Sequence, residues 1–263
     1  MENERLQEVQ GLTVSYKVFG EISAPTTVLL LHGWGARKEL FDRAAREIRG
    51  KTGACVITLD LPGFGASSTP KSAWFTKDFS DSLSNFLDAV GIQHLSVLGG
   101  HSHGGRVAVR YAYDHPEKVD KLLLIDSAGL PAKHSLRMKM RVKLFKALKS
   151  LLCFAVPKGA LQQNLLSRLS GFFGSTDYQQ AGAMRQTMVQ VIHEDFSPLL
   201  PHLRQPTLLV WGEKDLDTPL WMANEIKKAI PDAGLVVWPD AGHYSFLDRP
   251  VEFSLVTAKF LTG

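Results

Sequence analysis

Three residue types, far apart in the chain, have the makings of one reaction. Ser102 sits in Gly100-His101-Ser102-His103-Gly104, after an apolar run ending at Val97-Leu98 and before a stretch carrying Val107, Val109, Ala112 and Tyr113. The first run suits a buried strand and the second a helix. A serine between them, with glycine two places before and two after, is forced through a turn so tight that its neighbours must lack bulk. Its hydroxyl is then exposed at a helix N-terminus, where N–H groups favour negative charge. A serine hydroxyl is a poor nucleophile at neutral pH and needs a base within hydrogen-bond reach. Two late strand-like runs end in loops that carry the missing groups, Trp211-Gly212-Glu213-Lys214-Asp215 and Asp240-Ala241-Gly242-His243. His243 is the candidate base, and Asp215 the carboxylate that would hold its tautomer and stabilise the cation formed. Asp126, which also ends a predicted strand, and Asp217 are rivals for the acid. His32 reads as a brace for its own loop, Asp60 as structural, and His101 and His103 as packing or pocket residues beside the serine.

Such groups can meet only if strands deliver them to one edge. Residues 12–20 alternate apolar and polar, with Val14, Tyr16 and Val18 on one side, and predict a half-buried antiparallel strand. Runs at 27–31, 54–59, 94–98, 119–125, 207–211 and 235–238 predict further strands, and helical stripes fall at 38–49, 79–90, 105–113, 220–230 and 251–261. Strands alternating with helices predict an α/β fold, with a mostly parallel central sheet of about eight strands and helices on both faces. Ligands of such sheets bind outside the carboxyl ends of the strands, where Ser102, Asp215 and His243 would emerge. Residues 130–203 break the rhythm: they contain no clean strand and are rich in Lys, Arg, Leu, Phe and Met. Residues 1–129 and 204–263 therefore read as the core, and 130–203 as an inserted helical cap.

Composition narrows the classes. The 263 residues are 44% hydrophobic and 21% charged, as in an ordinary globular protein, and a net charge of +4 is too mild to argue for nucleic acid. The distribution says more. Residues 127–176 hold nine Lys or Arg and no Asp or Glu, leaving 21 basic against 26 acidic residues elsewhere, a net of about −5. Residues 136–152 combine both patterns, with strict alternation at first but a helical stripe through Met138, Val142, Phe145, Leu148 and Leu152, and their length and Lys, Leu and Met content favour helix. Within the basic segment 133–149 such a helix is either a solvated basic face packed on the cap, or a docking surface for an anionic membrane or an acidic carrier. Cys55 and Cys153 read as buried thiols. No secretory signal or membrane-spanning run is evident, so a cytoplasmic protein without a transmembrane segment is expected. No metal-ligand spacing or phosphate-binding fingerprint is present, and no cofactor is expected.

Four motifs in order, His32-Gly33-Trp34-Gly35, the elbow around Ser102, Trp211-Gly212-Glu213-Lys214-Asp215 and Gly242-His243, resemble the α/β-hydrolase fold superfamily over essentially the full chain. The order Ser, Asp, His is this fold's own. The resemblance implies an oxyanion hole from the backbone N–H groups of Trp34 and His103. Relatives that displace halide or open epoxides use Asp where this chain has Ser102. The resemblance therefore implies a serine hydrolase cleaving a carboxylic ester of a small or medium acyl group through a seryl acyl-enzyme, with a small-molecule acyl substrate. Three alternatives share the fold: a carbon–carbon bond hydrolase acting on vinylogous diketones, the synthase of menaquinone assembly, and a non-catalytic ligand receptor. The second has an elbow that also continues into Gly-Gly-Arg, here Gly104-Gly105-Arg106, and Arg106 is either a surface residue or a contact for a substrate carboxylate. Trp34, Trp221, Phe145 and Phe246 are candidates for pocket lining.

Overall fold

A computed structural model describes residues 4–131, 136–157, 159, 161–162, 164–166 and 181–263. Eight strands form one sheet: β1 (Glu4–Val9), β2 (Leu12–Phe19), β3 (Thr27–Leu31), β4 (Cys55–Leu59), β5 (Leu95–His101), β6 (Val119–Ile125), β7 (Thr207–Gly212) and β8 (Ala233–Trp238). Their spatial order is β1-β2-β4-β3-β5-β6-β7-β8. β2 runs antiparallel to both β1 and β4, and every other neighbouring pair is parallel. β3 and β4 are fully buried, as aliphatic runs covered on both faces must be. β1 is the strand that periodicity missed. Its charged sequence is largely exposed, and it is held by backbone pairing to β2 through a hairpin at Gln10-Gly11, both with positive φ.

The helices α1 (Asp42–Thr52), α2 (Thr76–Ala89), α3 (His103–Asp114) and α4 (Leu136–Ala155) precede β7 in the chain. They are followed by α5 (Arg185–His193), α6 (Leu220–Ala229), α7 (Ser245–Asp248) and α8 (Pro250–Thr262). Core packing falls in two clusters. In one, Phe79, Leu83 and Phe86 of α2 join Val107 and Tyr111 of α3. In the other, Phe41, Ile48, Phe246 and Phe253 gather, with Phe41 stacked on Phe246 at 4.6 Å. Between β6 and β7 the described residues contain helices and no strand. The 136–152 stretch is helical as predicted, within α4, while Met138 and Val142 of the expected stripe fall outside the described side chains and residues 132–135 and 167–180 of the 130–203 segment outside the described residues. Cys55 is buried, but Cys153 is exposed, because it lies on the outer side of α4 beside Phe154.

Ion pairing ties the loops beneath the sheet edge. Lys38 is buried, and its Nζ lies 2.8 Å from Asp60 Oδ2 and 2.7 Å from Glu4 Oε1. Asp60 also accepts from the backbone N–H of Lys38 and of Ala66. A buried ammonium with two carboxylate partners is satisfied where a lone one would be costly. This gives Asp60 its structural place, fixing the loop after β4 against the loop after β3.

Candidate active site

Ser102 directly follows β5 with φ of 50° and ψ of −112°, a backbone conformation that L residues rarely adopt. The glycines around it are dictated by contact: a Cβ on Gly100 would overlap the backbone of Gly104, and one on Gly104 would overlap Leu31 and His32. The turn is secured by its own backbone, with Ser102 N–H donating to Ile125 C=O at 3.1 Å and Ser102 C=O accepting from Ala128 N–H at 3.1 Å. His103 opens α3, so its N–H lacks an acceptor within the helix.

Asp215 and His243 meet across the loops after β7 and β8. His243 Nδ1 lies 2.9 Å from Asp215 Oδ2. The other carboxylate oxygen accepts from Asp217 N–H at 2.8 Å and Thr218 N–H at 2.9 Å. Thr218 Oγ1 lies 2.6 Å from Asp215 Oδ2, so the carboxylate is held at both oxygens by its own loop. Burial is the largest single influence and works against the charged forms of both residues, yet their mutual hydrogen bond together with the Thr218 bonds and neighbouring charges outweighs it, so Asp215 sits below and His243 above its ordinary pKa. The imidazole of His101 donates from Nε2 to the carbonyl of His243 at 2.7 Å. Burial, reinforced by the neighbouring His243, pushes His101 down to about 3, so it is neutral.

Ser102 and His243 line one cavity of about 380 Å³, together with Gly33, Trp34, His103 and Arg106. Among the described residues no hydrogen bond joins Ser102 to His243; such bonds are often long without substrate and tighten once it is bound. Met188, Val191 and Ile192 of α5 form part of the wall, with Leu130 and Met222. Of the four aromatic residues expected there, Trp34 lines the cavity, whereas Phe246 is in the core and Trp221 lines a separate depression. Phe145 is half-buried on α4 and is not among the lining residues.

The rivals and flanking residues have other work. Asp126 is buried and accepts from Gly212 N–H at 2.8 Å, and from Ser245 N–H at 3.0 Å and Ser245 Oγ at 2.6 Å, so it clasps the loops after β7 and β8. Burial raises it to about 7 against those bonds. Asp217 is exposed at the cavity's edge. His32 donates from Nδ1 to Gly33 C=O at 2.7 Å and accepts at Nε2 from Leu61 N–H at 3.0 Å, bracing two loops. The ring of His103 is buried, packed edge-on against Trp34 and Phe79 with centroids 5.4 and 4.9 Å away, and burial takes it down to about 3. Arg106 is buried as well, stacked over Phe196 at 5.7 Å and donating to Glu194 C=O at 3.2 Å. Burial lowers its pKa to about 10, which leaves the guanidinium charged at neutral pH. Ligand atoms of Asp215, Asp217 and His243 lie within 4.8 Å of one another, but both oxygens of Asp215 already have partners.

Sequence reasoning passed over Thr218, Ser245 and the α5 residues of the wall. For Thr218 a signal existed: a threonine three residues after an aspartate is well placed to close a side-chain turn on it.

The family model described as "Alpha/beta hydrolase family" matches residues 28–254. The chain belongs to the alpha/beta hydrolase family. Within that family it is 28% identical over 260 residues to Lipase 1 of Psychrobacter immobilis, covering 92% of this chain and 80% of that one. It is 26% identical over 249 residues to a 2-hydroxy-6-oxononadienedioate/2-hydroxy-6-oxononatrienedioate hydrolase of Burkholderia vietnamiensis, covering 89% and 86%. Among solved alpha/beta hydrolases, a bacterial membrane phospholipase A superposes with a TM-score of 0.78 at 28% identity, over 100% of this chain and 86% of that one.

Proposed function

We propose that this alpha/beta hydrolase is a serine hydrolase that cleaves a carboxylic ester of a small or medium acyl group through a seryl acyl-enzyme. The observation that carries the reading is the 2.9 Å pair of His243 and Asp215 on the cavity that also holds Ser102 at its strained turn. Ser102 Oγ attacks the acyl carbon as His243 Nε2 takes its proton, and Asp215 stabilises the imidazolium. The N–H groups of Trp34 and His103 hold the oxyanion, each worth on the order of 3 kcal/mol of transition-state stabilisation. Collapse breaks the bond to the alcohol, which leaves with the proton from His243. Water then attacks the acyl-serine with His243 again as base, releasing the acid and restoring Ser102. On this reading 130–203 is a cap over the core formed by 1–129 and 204–263, no cofactor takes part and the protein is cytoplasmic.

The test is labelling by a fluorophosphonate probe, with Ser102→Ala as control, followed by a hydrolysis panel of graded esters, thioesters and a diketone dienoate. Labelling lost with Ser102→Ala supports the reading; an unlabelled folded protein favours a ligand receptor.

A second reading, carbon–carbon bond hydrolysis of vinylogous diketones that bear a carboxylate, has one observation in its favour. Arg106 lies in the cavity wall, buried and charged, and among the described residues no carboxylate forms an ion pair with it. An acidic substrate group would satisfy it. Turnover of the dienoate in preference to every ester would select this reading.

A further inference from the structure

Helix α4 turns an apolar seam to solvent. Leu144 is 54% exposed, Leu151 61% and Phe154 91%. With Ala147, which is also exposed, their spacing is i, i+3, i+7 and i+10, which places them along one side of the helix. Phe145, Leu148 and Leu152, a helical step away, are half-buried, so the helix packs on one apolar side and leaves another uncovered. Leu161, just past its end, is 66% exposed and extends the same character. Single exposed leucines need no explanation, but an aligned set ending in a solvated phenylalanine calls for something to cover it.

Charge says what. The 20 residues of α4 hold six Lys or Arg and no acid. An acidic soluble protein would answer the charge but give no role to the solvated phenylalanine. A surface that is anionic at its face and apolar just beneath answers both. Among the described residues no helix is long and apolar enough to cross a membrane, so such a helix would lie along a bilayer and not through it.

We propose that α4 is an in-plane docking helix for an anionic lipid surface, with Leu144, Leu151 and Phe154 entering the acyl boundary and the net positive charge of the helix drawing it to headgroup phosphates. The inference does not depend on which bond the enzyme cleaves, and its test needs no turnover. The full chain is floated with vesicles of phosphatidylglycerol or of phosphatidylcholine, at low salt and at ~0.5 M NaCl. It rises with phosphatidylglycerol, stays behind with phosphatidylcholine, and is largely released by the added salt. The double variant Leu151→Ser/Phe154→Ser changes solvated positions only, so its circular dichroism spectrum is unaltered, but it partitions onto the anionic vesicles at least roughly tenfold more weakly. Equal flotation with the two lipids, an undiminished double variant, or retention on immobilised polyglutamate with no vesicle binding would each overturn the proposal.

Discussion

Two of the helices described between β6 and β7, α4 and α5, are held in opposite ways. α5 buries Met188 and Val191, and its neighbourhood is stitched to the core by Trp74 N–H donating to Thr187 Oγ1 at 3.1 Å and Thr76 N–H donating to Glu194 Oε2 at 3.1 Å. Among its described side chains α4 buries none fully, and it gives Leu151 and Phe154 to water. One helix is therefore part of the cavity wall, whose shape decides what fits against Ser102; the other is a surface. An insertion can divide its labour in this way because sequence between two parallel strands is free to vary so long as both strands keep their register.

The contrast breaks first if the wall encloses no working centre. Ser102→Ala should lower kcat for any hydrolysed ester by roughly 10⁴ or more, measured against a fold check by circular dichroism; an active variant would leave the α5 side as featureless as the other. Next in size is Asp215→Asn, expected to cost about 10³–10⁴ in kcat by unseating the His243 tautomer. This variant also sharpens the pH profile. His243 must be unprotonated to accept the proton, and the carboxylate holds its pKa above the ordinary imidazole value, so wild-type kcat/KM climbs with pH until it passes that raised value. Without the carboxylate the acid limb should move to lower pH. An unmoved limb would deny Asp215 its part. Arg106→Met comes third: kcat/KM for esters ending in a carboxylate should fall roughly 10- to 100-fold while neutral esters are hardly affected, as steady-state comparison of the two series would show. Smallest is the packing difference itself. Met188→Ala, at a buried site, should cost about 2–3 kcal/mol in urea unfolding, and Leu151→Ala, 61% exposed, no more than about 0.5 kcal/mol. Equal losses would mean that α4 is packed as firmly as α5.

The central strands and the three separated motifs were legible because each is local: an aliphatic run, a glycine bracket around a serine, a carboxylate or histidine just past a strand end. β1 was not, since Glu4, Arg5 and Gln7 look like any solvated terminus and the strand exists through pairing to β2. The choice of Asp215 over Asp126 was only half readable. Both end or follow strands, and what separates them is that Asp126 is committed to Gly212 and Ser245 while Asp215 turns to His243. The wall was beyond reading altogether: Met188 and Val191 are ordinary helix residues until the chain returns them beside Ala128 and Leu130. Arg106 shows the limit most plainly, for nothing local to Gly105-Arg106-Val107 says whether that guanidinium faces water or a cavity.

The bond from the ring of residue 101 to the carbonyl of residue 243 spans 142 positions of sequence, and its donor is joined to Ser102 by one peptide link. The late loop is thereby moored to the same rigid piece that carries the hydroxyl. Thermal drift of that piece would take Ser102 and His243 along together, so their separation is steadier than either one's position in the molecule. Cutting the mooring with His101→Ala would leave Ser102 and His243 in place on average while letting the two halves wander independently.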